Sequence, residues 1–183
     1  MIRKIFLLFS FFLLTMVTIY AQNYVTRNGM IRFYSEAPLE NIEAINRQVS
    51  SALNVESGEF VFRVVMRSFN FEKALMQEHF NENYVESHKY PNATFEGSIV
   101  NLNKIDLTKP GEYNAIVEGD LTIKDVTKSI KQNGTFLVKA DEISGKSVFA
   151  IKLEDYNIKI PAAVKDNIAK EIEITVDVPL KKM

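Results

Sequence analysis

The side chains most suited to chemistry in this sequence are concentrated in residues 75–97, LMQEHFNENYVESHKYPNATFEG. This stretch contains both histidines, His79 and His88, and three nearby carboxylates, Glu78, Glu82 and Glu86. Imidazole and carboxylate groups bind zinc and transfer protons. Zinc-binding histidines usually recur at short helical spacing, which these two lack, and the sequence has no third histidine. We therefore predict neither a metal site nor a catalytic residue. The side chains of His79 and His88 would either contact the polar head group of a ligand or form hydrogen bonds within the loop, and the sequence does not decide between these roles.

Other catalytic patterns are missing from the sequence. It has no cysteine, no Gly-x-Ser-x-Gly, no phosphate-binding glycine loop and no dinucleotide fingerprint, so we predict no cofactor. Asp155 and Tyr156 are neighbours that would face opposite sides of a strand. A basic stretch, Lys124, Lys128 and Lys131, could attract a phosphate head group, although a solvated hairpin explains it equally simply.

The N-terminus predicts a secretory signal peptide. Arg3 and Lys4 precede an apolar run over residues 5–20, and Ala21 offers a small-residue cleavage point. An uncleaved anchor is the alternative, but the run is shorter than the roughly 20 residues that a membrane span needs. Cleavage near Ala21 leaves one domain, residues 22–183, in the periplasm or outside the cell. Removal of residues 1–21 changes the formal net charge from −1 for the full chain to −3 for the mature domain, which argues against a nucleic-acid partner.

Most of the mature sequence alternates apolar and polar residues, the pattern of strands with one buried face. In residues 171–180, for example, Ile172, Ile174 and Val176 share one face while Glu171 and Glu173 share the other. The pattern predicts eight strands, over residues 30–37, 42–53, 59–69, 94–103, 112–123, 126–139, 146–153 and 171–180. Asn28-Gly29 is interpreted as a turn, and Asn133-Gly134 as a bulge within the sixth strand.

Two segments interrupt the strands. Residues 71–81 predict a helix capped by Asn70, because Phe71, Ala74, Leu75 and Phe80 fall near one stripe. Residues 161–169 predict a short second helix that begins near a proline. Eight antiparallel strands with one apolar face favour a closed barrel or a sandwich. A barrel leaves no exposed edges, and eight strands either fill its interior or enclose one small ligand.

Four segments resemble the YceI-like family of secreted bacterial proteins with a lipocalin-like barrel. The Tyr90-Pro91 pair leads into a strand that ends in Phe95-x-Gly97, and a Gly-Asp-Leu-Thr-Ile segment, 119–123, precedes Val126-Thr127-Lys128. Residues 153–161, LEDYNIKIP, and the last strand complete the resemblance. Asp125 and Asn157 stand where the family usually has glycine, and both residue types tolerate positive φ.

The resemblance implies an all-β, eight-stranded antiparallel lipocalin-like barrel with a helix–loop insertion and a short second helix. It also implies non-covalent binding of a polyisoprenoid or similar long-chain amphiphile, in a non-enzymatic carrier. The sequence does not decide whether the protein contacts a membrane transiently or whether it forms a homodimer. An enzyme acting on an amphiphile and a filled barrel that binds a protein partner are the alternatives. Candidate ligand-binding residues on the inner strand faces and the central loop are Phe33, Phe60, Phe62, Val64, Phe80, Tyr84, Phe95, Ile99, Val117, Leu121, Phe136, Phe149, Ile174 and Val176.

Overall fold

A computed structural model describes residues 23–183, so the predicted signal peptide lies outside the described residues. The strands are β1 (Asn23–Glu36), β2 (Asn41–Asn54), β3 (Glu59–Val65), β4 (Phe69–Phe71), β5 (Asn92–Ile99), β6 (Gly111–Ile123), β7 (Val126–Val138), β8 (Glu142–Lys152) and β9 (Glu171–Lys182). The α-helix α1 spans Ala74–His79. Within residues 23–183, no helix has the length and apolar character needed to cross a bilayer.

Eight of the strands form a closed antiparallel barrel, which confirms the predicted fold class. The hydrogen-bonded order is β1-β9-β8-β7-β6-β5-β3-β2, and β2 pairs with β1 to close the ring. The ninth strand, β4, is the extra one and pairs with β2 through Ala44, opposite Phe71. A single predicted strand over residues 59–69 is thus split, because the 3-10 helix Met66–Ser68 separates β3 from β4.

The helical insertion begins later than predicted. Phe71 belongs to β4, since its pairing with β2 takes it out of the helix. Asn70 does not cap α1; its side chain donates to the carbonyl of Ser68 at 3.3 Å. After α1, a π-helical turn, Phe80–Tyr84, leads towards β5. The second predicted helix, over 161–169, contracts to the 3-10 helix Ala162–Val164.

Two predicted features of the strands are wrong. Asn28-Gly29 is not a turn before β1 but part of it, at a register irregularity between Thr26 and Ile31. Asn133-Gly134 is not a bulge, because β7 pairs residue for residue with β6 along its whole length. The turns that depend on positive φ behave as expected. Lys124 (φ 51°) and Asp125 (φ 63°) join β6 to β7 in a two-residue hairpin, and Asn157 has φ 55°.

A glycine pair joins β5 to β6 at close range. Gly97 and Gly119 lie directly opposite each other in the ladder. A Cβ on Gly119 would collide with the backbone of Glu96 and Gly97 and would lie 2.8 Å from Cζ of the Phe95 ring. The Phe95 ring therefore lies across both glycines. The absence of room for a Cβ explains why glycine occupies these two positions of the family-like segments.

One end of the barrel is plugged. The connection from β5 to β6 folds across it, and Leu102, Ile105 and Leu107 pack against the inner-face residues there. Leu107 is only 1% exposed. Both ends of the described chain meet at this end, since Tyr24 pairs with Lys182 and the Met183 amide donates to the Asn23 carbonyl at 2.9 Å. We call this the plugged end.

The opposite end carries α1, residues 37–40 and the 3-10 helix Ala162–Val164, and we call it the mouth. Its parts are tied together: Lys73 pairs with Glu40 at 2.7 Å, and the Leu39 amide donates to the Asp166 carbonyl at 3.0 Å. The cavity described next lies between the mouth and the plugged end.

Candidate ligand-binding cavity

The barrel encloses an apolar cavity of about 400 Å³. Its floor lies at Phe60, Phe136 and Val178, above the packed cluster of the plugged end. Towards the mouth it reaches Ile42, Met76 and other residues of the rim. The volume falls within the range of about 300–1,000 Å³ that is usual for small-molecule sites. The barrel is therefore not filled by its own side chains, as a filled-barrel interaction domain would be.

Nearly all of the candidate residues predicted on the inner strand faces and the central loop border this cavity. Those that border it are Phe33, Phe60, Phe62, Val64, Phe80, Tyr84, Phe95, Val117, Leu121, Phe136, Phe149, Ile174 and Val176. Ile99 does not border it. Its side chain faces inward as predicted, but it lies in the cluster at the plugged end beside Leu102 and is 4% exposed. Contact of these residues with a ligand stays a prediction.

Several residues on the cavity wall were not predicted. Some belong to β4, the helical segments and the loops that follow them, where the chain leaves regular strand geometry, and others lie in phase with predicted residues along β7, β8 and β9. The phase of the alternation could have identified the second group. The residues missed include Met66, Phe69, Phe71, Met76, Val85, Ile130, Gln132, Ser147, Ile151, Ile158, Ile168 and Ile172.

Four phenylalanines form the wall of the cavity beneath α1. Phe33 lies 5.5 Å from Phe69, 5.4 Å from Phe71 and 5.6 Å from Phe80, measured between ring centroids. Contacts of this kind contribute about 0.5–1.5 kcal/mol per pair beyond area burial. The insertion thus packs onto the barrel through Phe80, the first residue of the π-helical turn, rather than through the exposed Leu75.

The two histidines are placed differently. His79, at the end of α1, borders the cavity near the mouth, whereas His88 does not border it. Nδ1 of His88 lies 3.9 Å from a carboxylate oxygen of Glu82, and both side chains are exposed. Across residues 23–183, no three histidine or acidic side chains are grouped to hold a metal ion. Of the two candidates, His79 alone is positioned to meet a ligand head group at the rim.

The barrel wall is incomplete between β7 and β8. These strands pair only from Thr135 to Val138, opposite Ile143 to Lys146. Past this ladder, the Ser147 hydroxyl donates to the Asn133 carbonyl at 2.6 Å, and no further pairing follows. The 3-10 helix Leu153–Tyr156 contacts both strands at the side of the mouth. We call the unpaired stretch, residues 126–132 of β7 facing 148–152 of β8, the seam.

Tyr156 is the buried residue of this 3-10 helix, 2% exposed within the cluster at the side of the mouth. Burial, with a smaller contribution from the charge of Asp155, raises the pKa of Tyr156 to about 12. The pKa of this phenol is therefore higher in the folded protein than in the unfolded chain, where it is about 10. The stabilisation that the neutral phenol provides is fully present below pH 10 and declines as the pH rises towards 12.

We therefore expect alkaline destabilisation of the protein to depend on Tyr156. Between pH 10 and 12 the urea midpoint of the wild type should fall more steeply than that of Tyr156→Phe, which has no phenol to ionise. Tyr113→Phe is the control, since Tyr113 lies in the other core cluster. Equal slopes for Tyr156→Phe and the wild type would show that ionisation of this phenol does not govern the decline.

Comparison with known proteins agrees with this architecture. The model of the YceI-like domain family matches residues 26–180. A polyisoprenoid-binding domain from Saccharophagus degradans, implicated in plant cell wall breakdown, has 13% identity and a TM-score of 0.77, over 90% of this chain and 100% of that one. BcnA of Burkholderia cenocepacia has 17% identity and a TM-score of 0.65, over 83% and 95%.

A third similar structure, a YCEI protein of Campylobacter jejuni, has 18% identity and a TM-score of 0.56, over 75% of this chain and 82% of that one. At these identities the structural likeness shows the fold alone. No curated protein matches the sequence.

Proposed function

Because the chain belongs to the YceI-like family, we propose that it is a non-enzymatic binding protein that carries a polyisoprenoid or related long-chain amphiphile inside the barrel. The observation that carries the proposal is the apolar cavity of about 400 Å³, plugged at one end. The similar domain from Saccharophagus degradans, described as polyisoprenoid-binding, supports the same class of ligand.

Affinity in such a site comes from the hydrocarbon chain. Burial of apolar surface contributes about 25 cal/mol per Å², or about 0.8 kcal/mol per methylene group. The phenylalanines and aliphatic side chains of the inner faces offer few hydrogen-bonding groups, so the chain is held by area and shape. The polar end of the ligand must then lie where the cavity meets water.

The proposal includes a location. We propose that the protein works in the periplasm or outside the cell after cleavage near Ala21, as the signal-like residues 1–21 favour. Intact-mass and N-terminal peptide mass spectrometry of the exported protein tests this part separately. The proposed N-terminus is Gln22, and an uncleaved or cytoplasmic chain would contradict it.

Extraction tests the carrier function most directly. The protein is purified without detergent, extracted with organic solvent, and the extract is analysed by mass spectrometry. A long-chain amphiphile in stoichiometric amount is the expected result. A barrel that is empty after purification and that also refuses added long-chain alcohols would overturn the proposal.

The chain length of the ligand should govern its affinity. We expect the affinity for straight-chain alcohols from octanol upward to rise about fourfold per methylene, from about 0.8 kcal/mol each. The rise should stop when the chain fills the cavity from the floor at Phe136 to the mouth. Isothermal titration calorimetry of the delipidated protein measures the series. Affinity independent of chain length would place the alcohols on the outer surface instead.

A further inference from the structure

Two segments of the chain cover the mouth, and they start from different parts of the barrel ring. The first, residues 72–91, runs from β4 to β5 and contains α1, and the second, residues 153–170, runs from β8 to β9. We call them the first cover and the second cover. Both reach the cavity, since Met76 of the first and Val164 and Ile168 of the second border it. A molecule that enters or leaves through the mouth therefore has to pass them.

The first cover is firmly attached in its second half. There Val85 and Ser87 are 3% and 1% exposed, and Glu86 forms an ion pair with Lys124 of the β6–β7 hairpin. In its first half, by contrast, the six-residue α1 has no buried residue and no side-chain cap at its N-terminus. A helix this short has little stability of its own. Contacts beside α1 therefore decide whether this half stays over the mouth.

One carboxylate reaches both covers. Glu40, in the loop between β1 and β2, pairs with Lys73 of the first cover at 2.7 Å, and the side-chain amide of Asn167 in the second cover approaches the same carboxylate. The ammonium group of Lys73 and, to a smaller extent, the amide of Asn167 hold the pKa of Glu40 below its ordinary value. The Leu39 amide, next in the chain, donates to the Asp166 carbonyl at 3.0 Å. Because Glu40 also borders the cavity, the two covers are joined at the edge of the opening.

This junction is open to solvent. The side chain of Lys73 is 61% exposed and that of Glu40 is 27% exposed. Ion pairs in contact with water contribute little stability and are screened by salt. The barrel strands are paired independently of this contact, so the junction can break and re-form while the barrel stays folded.

We propose that Glu40 is a latch that holds the two covers together over the mouth, and that release of this latch sets the rate at which the cavity exchanges its contents. The inference rests on the proposed carrier function, because a latch matters only for a cavity that takes up and releases a ligand. It concerns rates and not affinity. The contacts of Glu40 belong to the closed barrel whether the cavity is empty or occupied, so their loss destabilises both closed states equally and cancels in the dissociation constant.

An uncharged apolar dye, N-phenyl-1-naphthylamine, measures the exchange, because it fluoresces in apolar surroundings. Stopped-flow mixing of the delipidated protein with a series of dye concentrations gives the association and dissociation rate constants. Glu40→Gln keeps the size of the side chain and removes the ion pair, and Lys73→Met breaks the same pair from a residue that does not border the cavity. Both variants should raise both rate constants by about two- to fivefold, as the loss of an exposed ion pair predicts, with an unchanged dissociation constant.

Salt should imitate these variants. In 1 M sodium chloride the exchange of the wild type should accelerate towards the rates of Glu40→Gln, because the exposed ion pair is screened. Exchange in Glu40→Gln and Lys73→Met should respond little to salt, since the pair is already absent and the dye carries no charge.

A covalent lock should have the opposite effect. The sequence has no cysteine, so Lys73→Cys combined with Asn167→Cys introduces one thiol into each cover. Both native side chains lie at the Glu40 carboxylate, and a short, reducible bis-maleimide can therefore join the two thiols. The cross-linked protein should exchange the dye at least about tenfold more slowly than before cross-linking, because the covers can no longer part. Reduction of the linker should restore the rate.

An equivalent ion pair on the barrel wall provides the matched control. Glu118 and Lys131 pair across β6 and β7 at 2.8 Å, and this lysine is 60% exposed, close to the value for Lys73. Glu118→Gln should exchange the dye at the wild-type rate, and so should the double variant Glu118→Cys and Lys131→Cys after cross-linking. The exchanged side chains lie at the surface, so each variant should melt close to the wild type, which circular dichroism checks.

The remaining outcomes separate the latch from the carrier function. A wild type that binds neither the dye nor a long-chain alcohol would overturn both. A wild type that binds the dye, with unchanged exchange in Glu40→Gln, in Lys73→Met or after cross-linking of the covers, would overturn the latch and leave the carrier function standing. Equal slowing by the control cross-link would assign the effect to stiffening of the whole barrel. A weaker affinity at an unchanged association rate would make Glu40 a ligand contact instead of a latch.

Discussion

Gly119→Ala is expected to destabilise the barrel by about 3 kcal/mol or more, the upper part of the range for overpacked cores. The new methyl group would meet the backbone of Glu96 and Gly97 and the ring of Phe95. Backbone in the middle of a paired ladder has no free direction in which to move, so β5 and β6 must separate. Since Phe95 lines the cavity, the damage should extend to ligand binding.

Thermal and urea unfolding followed by circular dichroism measure this effect. At about 2–4 °C per kcal/mol for a chain of this size, the melting temperature should fall by about 6–12 °C. Gly134→Ala is the control. Its Cβ would lie 3.0 Å from the Lys146 carbonyl, at the last rungs of the β7–β8 ladder where β8 can yield towards the seam. We expect a much smaller loss there, and equal losses would contradict the steric account of the glycine pair.

Phe136→Ala should both weaken the protein and lengthen its cavity. Phe136 is 2% exposed and its ring lies 5.5 Å from that of Phe60, at the boundary between cavity and plugged end. Removal of a buried phenyl group costs about 3–5 kcal/mol in a core that cannot collapse. Here the vacated space adjoins the cavity floor. A longer ligand can therefore enter it, and bound ligand should recover part of the lost stability.

The alcohol series detects the change in length. In Phe136→Ala the chain length at which affinity stops rising should increase by several carbons relative to the wild type. Leu137→Ala is the control, because Leu137 follows on the same strand but faces outward and is 39% exposed. If the variant loses stability but affinity stops rising at the same chain length as in the wild type, the inner end of the bound chain does not lie at Phe136. Ligand protection can be measured as the shift in melting temperature on addition of each alcohol.

Period-two alternation carried most of the information that made the barrel predictable. It identifies which residues of a strand face inward, and this sufficed for the cavity positions of Phe62, Val117 and Ile174. It does not identify how deep a residue lies along the barrel. Ile99 has the correct phase, but the plug of Leu102, Ile105 and Leu107 covers its level, and that connection has no periodic pattern.

The same limit explains why the seam was not predicted. A strand that pairs fully on one side alternates in the same way whether or not its other edge is paired. β7 pairs with β6 along its whole length, so its sequence contains no sign that β8 pairs only with its last residues, Thr135 to Val138. The start of α1 was misplaced for a related reason. The apolar stripe that includes Phe71 suits a helix, and only the distant Ala44 in β2 shows that Phe71 belongs to a strand.

The meeting of both chain ends at the plugged end determines how the protein can be handled. Asn23 and Met183 are hydrogen-bonded neighbours there, with the packed cluster between them and the cavity. An affinity tag or fluorescent reporter joined at either terminus would therefore leave the barrel on the side remote from α1. Protein captured on a sensor chip through such a tag would present its mouth to the flowing solution. Vesicles loaded with a candidate lipid could then be tested for direct delivery into an oriented layer of empty barrels.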